Sequence, residues 1–278
     1  MTDSADWSMV AVAIPCFNEA AAVEAVVVAW RSALPGAEVV VFDNNSSDGT
    51  GAIARRLGVR VVDVRDQGKG HAVRAIFEDL ADREAVVLVD GDGTYPADLA
   101  PELLAPVLGG RADMVVGARR PVASLRAMSP IRGLGNLLIS SAFGILIGPG
   151  TSDLLSGYRV FGRRFREVVR PRSAGFEIEA ELSGQAVARG LRVVEIAVPY
   201  HPRIAGTASK LRAFRDGRRI LLAILAQSLR FRPWRPMLAL AAPVALAGLA
   251  IGSAPTFLVG ATLAVAAVAP IAWVATRG

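Results

Sequence analysis

The feature that most constrains this chain is an alternation within its first 120 residues. Short β-branched runs at 10–14, 38–42, 59–64, 85–89 and 113–116 are bounded by turn residues, and the stretches between them at 19–32, 49–57, 69–80 and 97–108 carry helical spacing. A strand followed each time by a helix returns parallel to its predecessor, with the helix packed across the sheet. The expectation is an α/β domain whose mostly parallel sheet is covered by helices on both faces. Ligands of such sheets sit beyond the carboxyl ends of the strands. The polar clusters at 15–19, 43–50, 67–71 and 90–95 all fall at those ends, so one edge gathers carboxylates, amides and glycines.

After residue 120 the pattern changes. Residues 131–148 are apolar but broken by glycines and serines, which suits an interfacial helix or helix pair. Residues 151–161 are polar and then strand-like, 177–188 are helical and 192–198 form a last strand. The spacing predicts an amphipathic helix over 211–229, with Arg212, Arg215 and Arg219 on one face and Leu211, Phe214, Leu221 and Leu225 supplying apolar contacts. A helix of this kind can lie in a membrane interface.

From Met237 onward no charge occurs until Arg277. The apolar runs 236–252 and 257–275 are each near the lower end of the roughly 17–25 residues that cross a bilayer. A transmembrane hairpin is expected, giving a catalytic domain over 1–206, an interface helix over 207–232 and the hairpin over 233–278. Arg230, Arg232 and Arg235 precede the first span and Arg277 follows the second, which by the positive-inside rule puts both ends in the cytoplasm. Met1–Ser8 is polar and the run 9–14 is too short for a signal core, so the catalytic part is expected on the cytosolic face of the cell membrane. The single cysteine, Cys16, leaves no intramolecular disulfide.

The net charge of +6 is local. Residues 200–236 hold nine Lys/Arg and one Asp, and the rest of the chain is slightly acidic. A basic block directly before apolar runs suits anionic headgroups. It is not accompanied by a nucleic-acid-binding motif, and no nucleic acid partner is expected.

Asp90-Gly91-Asp92 directly follows the run 85–89. Two carboxylates at a strand end can face a divalent cation and a diphosphate together, and oxygen ligands of this kind suit Mg²⁺ or Mn²⁺. The cluster from Asp43 to Thr50 combines a turn and a helix cap with Asp43 and Asn44, placed to meet a nucleobase or ribose. Gln67-Gly68-Lys69-Gly70 opens the third helix, where an N-terminus attracts phosphate. Lys69 and Lys210 are the only two lysines of the chain, which suggests that a compact ammonium is needed at both. Glu177 and Glu179, at a helix start, suit either donor hydroxyls or the helix dipole.

These residues resemble the family 2 glycosyltransferases. The resemblance rests on Ile14-Pro15-Cys16-Phe17-Asn18-Glu19, the Asp43–Thr50 cluster, Gly68-Lys69-Gly70, Asp90-Gly91-Asp92-Gly93-Thr94-Tyr95-Pro96, Gly117-Ala118-Arg119, the stretch from Ser152 to Phe161, and Ala208-Ser209-Lys210-Leu211. As an ordered set over about 10–229, they are similar to the dolichyl- or polyprenyl-phosphate sugar synthases. The resemblance implies a Rossmann-like GT-A fold and inverting transfer from a UDP- or GDP-linked sugar to a polyprenyl phosphate. It also implies that Pro15, Asn18, Glu19, Asp43, Asn44, Lys69, Asp90 and Gly91 contact the nucleotide, with Asp90 and Asp92 at the metal. Many relatives carry a second acid where Asn44 stands, which leaves the nucleobase open.

Asp92, Arg119 and Asp153 are the expected catalytic residues. A phosphate monoester is already largely ionised at neutral pH, its second pKa lying near about 6. A lipid-phosphate acceptor therefore needs no general base, and Arg119, Arg132, Arg159, Arg203 and Lys210 would hold the two anions together. On a soluble or growing glycan acceptor, Asp153 would instead act as the base.

Overall fold

A computed structural model describes residues 6–121, 130–206, 213–251, 255–256 and 258–264. Its centre is one seven-stranded sheet in the order β3-β2-β1-β4-β6-β5-β7. The strands are β1 (Val10–Cys16), β2 (Glu38–Asp43), β3 (Arg60–Asp63), β4 (Ala85–Leu88), β5 (Met114–Pro121), β6 (Arg159–Gly162) and β7 (Val193–Tyr200). Strands β1 to β4 pair parallel, as the alternation predicts, and so do β5 and β7. The departure is β6, which enters between β4 and β5 and runs antiparallel to both. The sheet is therefore mixed. The helix between β5 and β6, Pro130–Leu146, packs with two later helices and not across the sheet, so this connection does not impose the parallel return of a strand–helix–strand crossover.

Strand β1 explains why the sheet is sealed on both faces. Val10, Val12 and Ile14 join one apolar cluster, while Ala11 and Ala13 join the other. A strand covered twice reads as a continuous apolar run. One face is covered by α1 (Val23–Ala33), α2 (Thr50–Arg56) and α4 (Ala100–Leu108), where Trp30 meets Tyr158 edge-on at 5.5 Å. The other is covered by α3 (Lys69–Asp79), α6 (Arg163–Val168) and α7 (Ile178–Ala188). The short α6 has no counterpart in the sequence expectation, since six residues carry too little periodicity to register.

A third cluster joins α5 (Pro130–Leu146) and α8 (Ala213–Phe231) to α7 through Ile139, Phe143, Leu154, Ala180, Ile220 and Ile224. The outer sides of these two helices are apolar as well. Leu134, Leu137, Leu138 and Ile145 of α5 and Phe214, Leu221, Leu222, Leu225 and Leu229 of α8 are exposed, Phe214 at 95%. Helix α9 (Trp234–Ala250) follows, and Gly260 of the last described stretch lies against the Ala245 backbone so closely that a Cβ there would overlap it. Among the described residues no helix is long and apolar enough to cross a membrane. The second expected span falls mostly outside the described residues.

Candidate active site

The carboxyl ends of β1, β2 and β4 open into a cleft of about 520 Å³. Pro15, Glu19, Asn44, Lys69, Asp90, Gly91, Asp92 and Arg119 line its sheet side, and α5, α7 and α8 close the other. Its central group is the Lys69 ammonium, which bridges Asp90 at 2.5 Å and Glu179 at 2.6 Å. Burial alone would lower the lysine pKa, but the two carboxylates outweigh it and raise it above the ordinary lysine range. Burial likewise favours neutral Asp90, and Lys69 reverses this, holding Asp90 below the usual carboxylate range. Gly157 is required here, because a Cβ on it would overlap the Asp90 carboxylate.

Asp92 is 3% exposed. One oxygen accepts from the Thr94 N–H and hydroxyl at 3.1 and 2.6 Å, and the other meets Arg203 at 2.7 Å. The segment carrying Arg203 is pinned to the same turn, with the His201 N–H donating to Thr94 O and Ile204 N–H to Asp92 O. Arg119 grips Asp153 through Nε at 2.6 Å and Nη2 at 2.7 Å, and its backbone N–H adds a third bond at 3.0 Å. Its guanidinium also stands over the Tyr200 ring, 5.4 Å from the centroid. Burial pulls the Arg119 pKa down, but the Asp153 hydrogen bonds outweigh it, so the guanidinium stays charged.

The sequence expectations meet the structure unevenly. Asp90, Asp92, Lys69, Arg119 and Arg203 converge on the cleft as read. Arg159 does not. It is fully buried, donating to Ser156 O, Leu154 O and Ser183 Oγ, and so is not placed to meet an acceptor phosphate. Asn44 lines the cleft, but its amide is committed: Nδ2 donates to Val64 O and Asp66 O, and Oδ1 accepts from the Gly68 N–H. It braces the turn before α3 rather than offering a free amide to a base. Asp43 accepts from the Ser46 N–H, and Asn18, with φ +54°, accepts from the Ser47 N–H. Both shape the loop behind Pro15 and Glu19.

The glycines opening α3 also differ from the expectation. Gly68 and Gly70 do admit close approach, but of the chain at Ser173 and Ala174, and the Gly70 N–H donates to Ala174 O at 2.9 Å. Arg132 lies on α5 with its side chain outside the described residues, and Lys210 lies outside them altogether. Arg215 and Arg219, expected on the basic face of an interface helix, line the cleft from α8. Their i, i+4 spacing marks a shared face, but only the packing of α8 against α5 and α7 turns that face toward the site.

The donor set suits a hard cation. Asp90 and Asp92 offer carboxylate oxygens at one strand end, and no cluster of three or more His, Cys, Asp or Glu that could hold a metal occurs among the described residues. A two-carboxylate site must be completed by phosphate oxygens and water, which is how Mg²⁺ is commonly held.

The glycosyl transferase family 2 model matches residues 11–127. Glycosyltransferase AglJ of Haloferax volcanii is 36% identical over 215 residues, covering 77% of this chain and 70% of the relative. The chain belongs to glycosyl transferase family 2. It is a glycosyltransferase, similar also to the dolichyl-phosphate hexose transferase of the same organism, at 31% identity over 80% of this chain and 95% of that one. The fold matches glucosyl-3-phosphoglycerate synthase from Mycobacterium tuberculosis, solved with Mn²⁺, UDP and glucosyl-3-phosphoglycerate, with a TM-score of 0.60, 23% identity and 79% of each chain covered. That likeness identifies the mixed sheet as GT-A-like.

Proposed function

We propose that this glycosyltransferase moves a sugar, with inversion, from a nucleotide-diphosphate sugar to a polyprenyl phosphate at a membrane surface. The observation that carries the reading is the cleft's second wall. Arg215 and Arg219 line it from α8, and the same helix turns Phe214, Leu221, Leu222, Leu225 and Leu229 outward. Cations at the mouth of a site whose flank is apolar suit an anion that cannot leave the bilayer. The similarity to a dolichyl-phosphate hexose transferase supports the same acceptor class.

On this reading the nucleotide lies along Pro15, Glu19 and Gly91, with its diphosphate at Asp90 and Asp92. Those two carboxylates would hold Mg²⁺ or Mn²⁺, which when bound neutralises charge on the departing diphosphate. Arg203 and the arginines of α8 meet the acceptor phosphate, joined by Lys210 and Arg132. Lys69 fixes Asp90, and Arg119 stays charged beside the reacting centre. The catalytic domain faces the cytosol, anchored by α5, α8 and a C-terminal hairpin that begins with α9.

The alternative, a soluble or growing glycan acceptor with Asp153 as base, is less well supported. Both Asp153 oxygens are taken by Arg119. A base needs a free oxygen within reach of the acceptor hydroxyl.

The test is an assay of the purified protein with polyprenyl phosphate and a panel of UDP- and GDP-sugars, with Mg²⁺ or Mn²⁺. Formation of a polyprenyl-phosphate sugar with at least one donor is expected. Turnover on glycan acceptors alone would overturn the lipid-phosphate reading.

A further inference from the structure

The start of α7 carries three glutamates whose duties are divided. Glu177 accepts from the Gly175 N–H, and Glu181 accepts from the Arg172 and Ser173 N–H groups. Positions four apart share a helix face, so these two hold the segment 172–175 against the N-terminus of α3. Glu179 falls between them and turns the other way, into the cleft. Its residue is 3% exposed and its Oε1 is bound to Lys69 at 2.6 Å. Its Oε2 is buried without a hydrogen-bond partner.

A buried carboxylate oxygen left unpaired is costly, and an ionised carboxylate can only accept. The group that completes it must therefore be a hydrogen-bond donor or a cation, which excludes the phosphate oxygens of a bound nucleotide. Position narrows the choice further. Two bonds of 2.5 and 2.6 Å through one nitrogen place the Asp90 and Glu179 oxygens within about 5 Å of each other. Across the sheet, Asn44 just after β2 and Pro15 on β1 stand to one side of Asp90, while α7 packs over β5 and β6 on the other. A ligand with its base near β1 and β2 and its diphosphate at Asp90 presents its next group, the sugar, toward Glu179.

We infer that Glu179 is a specificity-determining residue that accepts a hydrogen bond from a hydroxyl of the sugar being transferred. The inference rests on the donor reading above. Lys69 then has two carboxylates with separate tasks, Asp90 toward the diphosphate and Glu179 toward the sugar. Buried Arg159 lies within electrostatic reach of Glu179, and this attraction offsets part of the burial that lowers the Arg159 pKa.

The test compares the wild type with Glu179→Gln by calorimetry in Mn²⁺, using UDP and GDP alone and then UDP-glucose and GDP-mannose. Removing a negative charge beside Lys69 leaves diphosphate affinity unchanged or tighter. The affinity for the sugar nucleotide that the wild type prefers falls roughly ten- to hundred-fold, the range for a lost hydrogen bond to a charged group. Equal weakening of diphosphate and sugar nucleotide would mean that Glu179 acts only through Lys69, and would overturn the inference while leaving the donor reading intact. If the wild type binds no nucleotide, both fall together. Should Glu179→Gln not fold, Glu179→Asp carries the same comparison, since it keeps the charge but withdraws the oxygen from the sugar.

Discussion

Gly70 stands in the first turn of α3, where a helix scale favours alanine by up to about 1 kcal/mol. The structure reverses that sign. A Cβ on Gly70 would lie 2.7 Å from the Ser173 carbonyl carbon and 2.9 Å from that of Ala174, with the Ser173 oxygen nearer still. These are backbone atoms with little freedom to retreat. Glu181 holds the Arg172 and Ser173 N–H groups, and Arg74 donates to both of their carbonyls. Accommodating the methyl breaks the Gly70–Ala174 hydrogen bond, worth roughly 1 kcal/mol, and either strains the packing by about 1–3 kcal/mol or pulls Ser173 from Glu181. After the helix preference for alanine is set against these costs, the expected net loss for Gly70→Ala is about 1–3 kcal/mol, or a melting temperature lower by roughly 3–9 °C for a domain of this size. Gly144, in the last turn of α5 with open space around its Cβ position, is the control, and Gly144→Ala should stabilise by up to about 1 kcal/mol. Urea denaturation of both variants in the same detergent measures the contrast. If Gly70→Ala matched or exceeded the wild type in stability, the close packing of 172–175 on α3 would be wrong.

Three further outcomes follow from the site. In the acceptor assay, Asp92→Ala should lose at least about a hundred-fold in rate, the scale for removing a group that stabilises developing charge, whereas Asp153→Asn keeps measurable turnover on lipid phosphate because its amide oxygen still meets Arg119; equal abolition would point to a base. Arg215→Ala and Arg219→Ala should each raise KM for polyprenyl phosphate roughly ten-fold while nucleotide affinity by calorimetry stays unchanged, and a matching loss of nucleotide affinity would remove them from the acceptor side. Cys16 is buried, and burial together with the negative charges of Glu19, Asp43 and Asp90 pushes its thiol well above the ordinary cysteine range. The sign runs one way: at any mildly alkaline pH the folded protein holds less thiolate than the unfolded chain, so a thiol reagent should label Cys16 at pH 8.5 only after denaturation, and rapid labelling of the native protein would contradict the burial.

Much of the sheet was legible because buried parallel strands leave an unambiguous mark. The expected run 85–89 and the observed β4 differ by one residue, and Lys69 opens α3 as expected. Asp90, Asp92 and Lys69 could be placed together because strand-to-helix connections put their ends on one edge. What escaped was set by contacts distant in sequence. Nothing local distinguishes Arg159, fully buried under Leu154 and Ser183, from an arginine facing a phosphate. Asn44 looked like a base-reading amide, yet it closes a turn with Val64, Asp66 and Gly68, about twenty residues on. Glu179 was seen but not separated from Glu177, since helix phase assigns faces without saying which face meets the cleft. The strand-like end of 151–161 was read, but the antiparallel direction of β6 was not: a strand's direction depends on its neighbours, and the long segment between β5 and β6 imposes none.

The charge arrangement explains why such a site can select a large doubly charged ligand without collecting stray anions. Lys69 is held by Asp90 and Glu179, Arg203 by Asp92 and Arg119 by Asp153, so the cations deepest in the cleft are already matched by carboxylates. A buried guanidinium or ammonium neutralised in this way exerts little net pull on a single phosphate. A diphosphate with a divalent cation would be different, because Asp90 and Asp92 would hold the metal and its charge would offset that of the phosphates. Arg203, paired with Asp92 at 2.7 Å, would be freed by such an exchange and would lie close to the arriving anions. Arg215 and Arg219, exposed at the mouth, have no carboxylate partner among the described residues and, on the proposed function, would meet the acceptor phosphate. The ion pairs thus make the inner cations available together with the donor, while the outer pair is available at all times. On the proposed function, this asymmetry is what places two anions side by side without requiring either to bind an empty cleft alone.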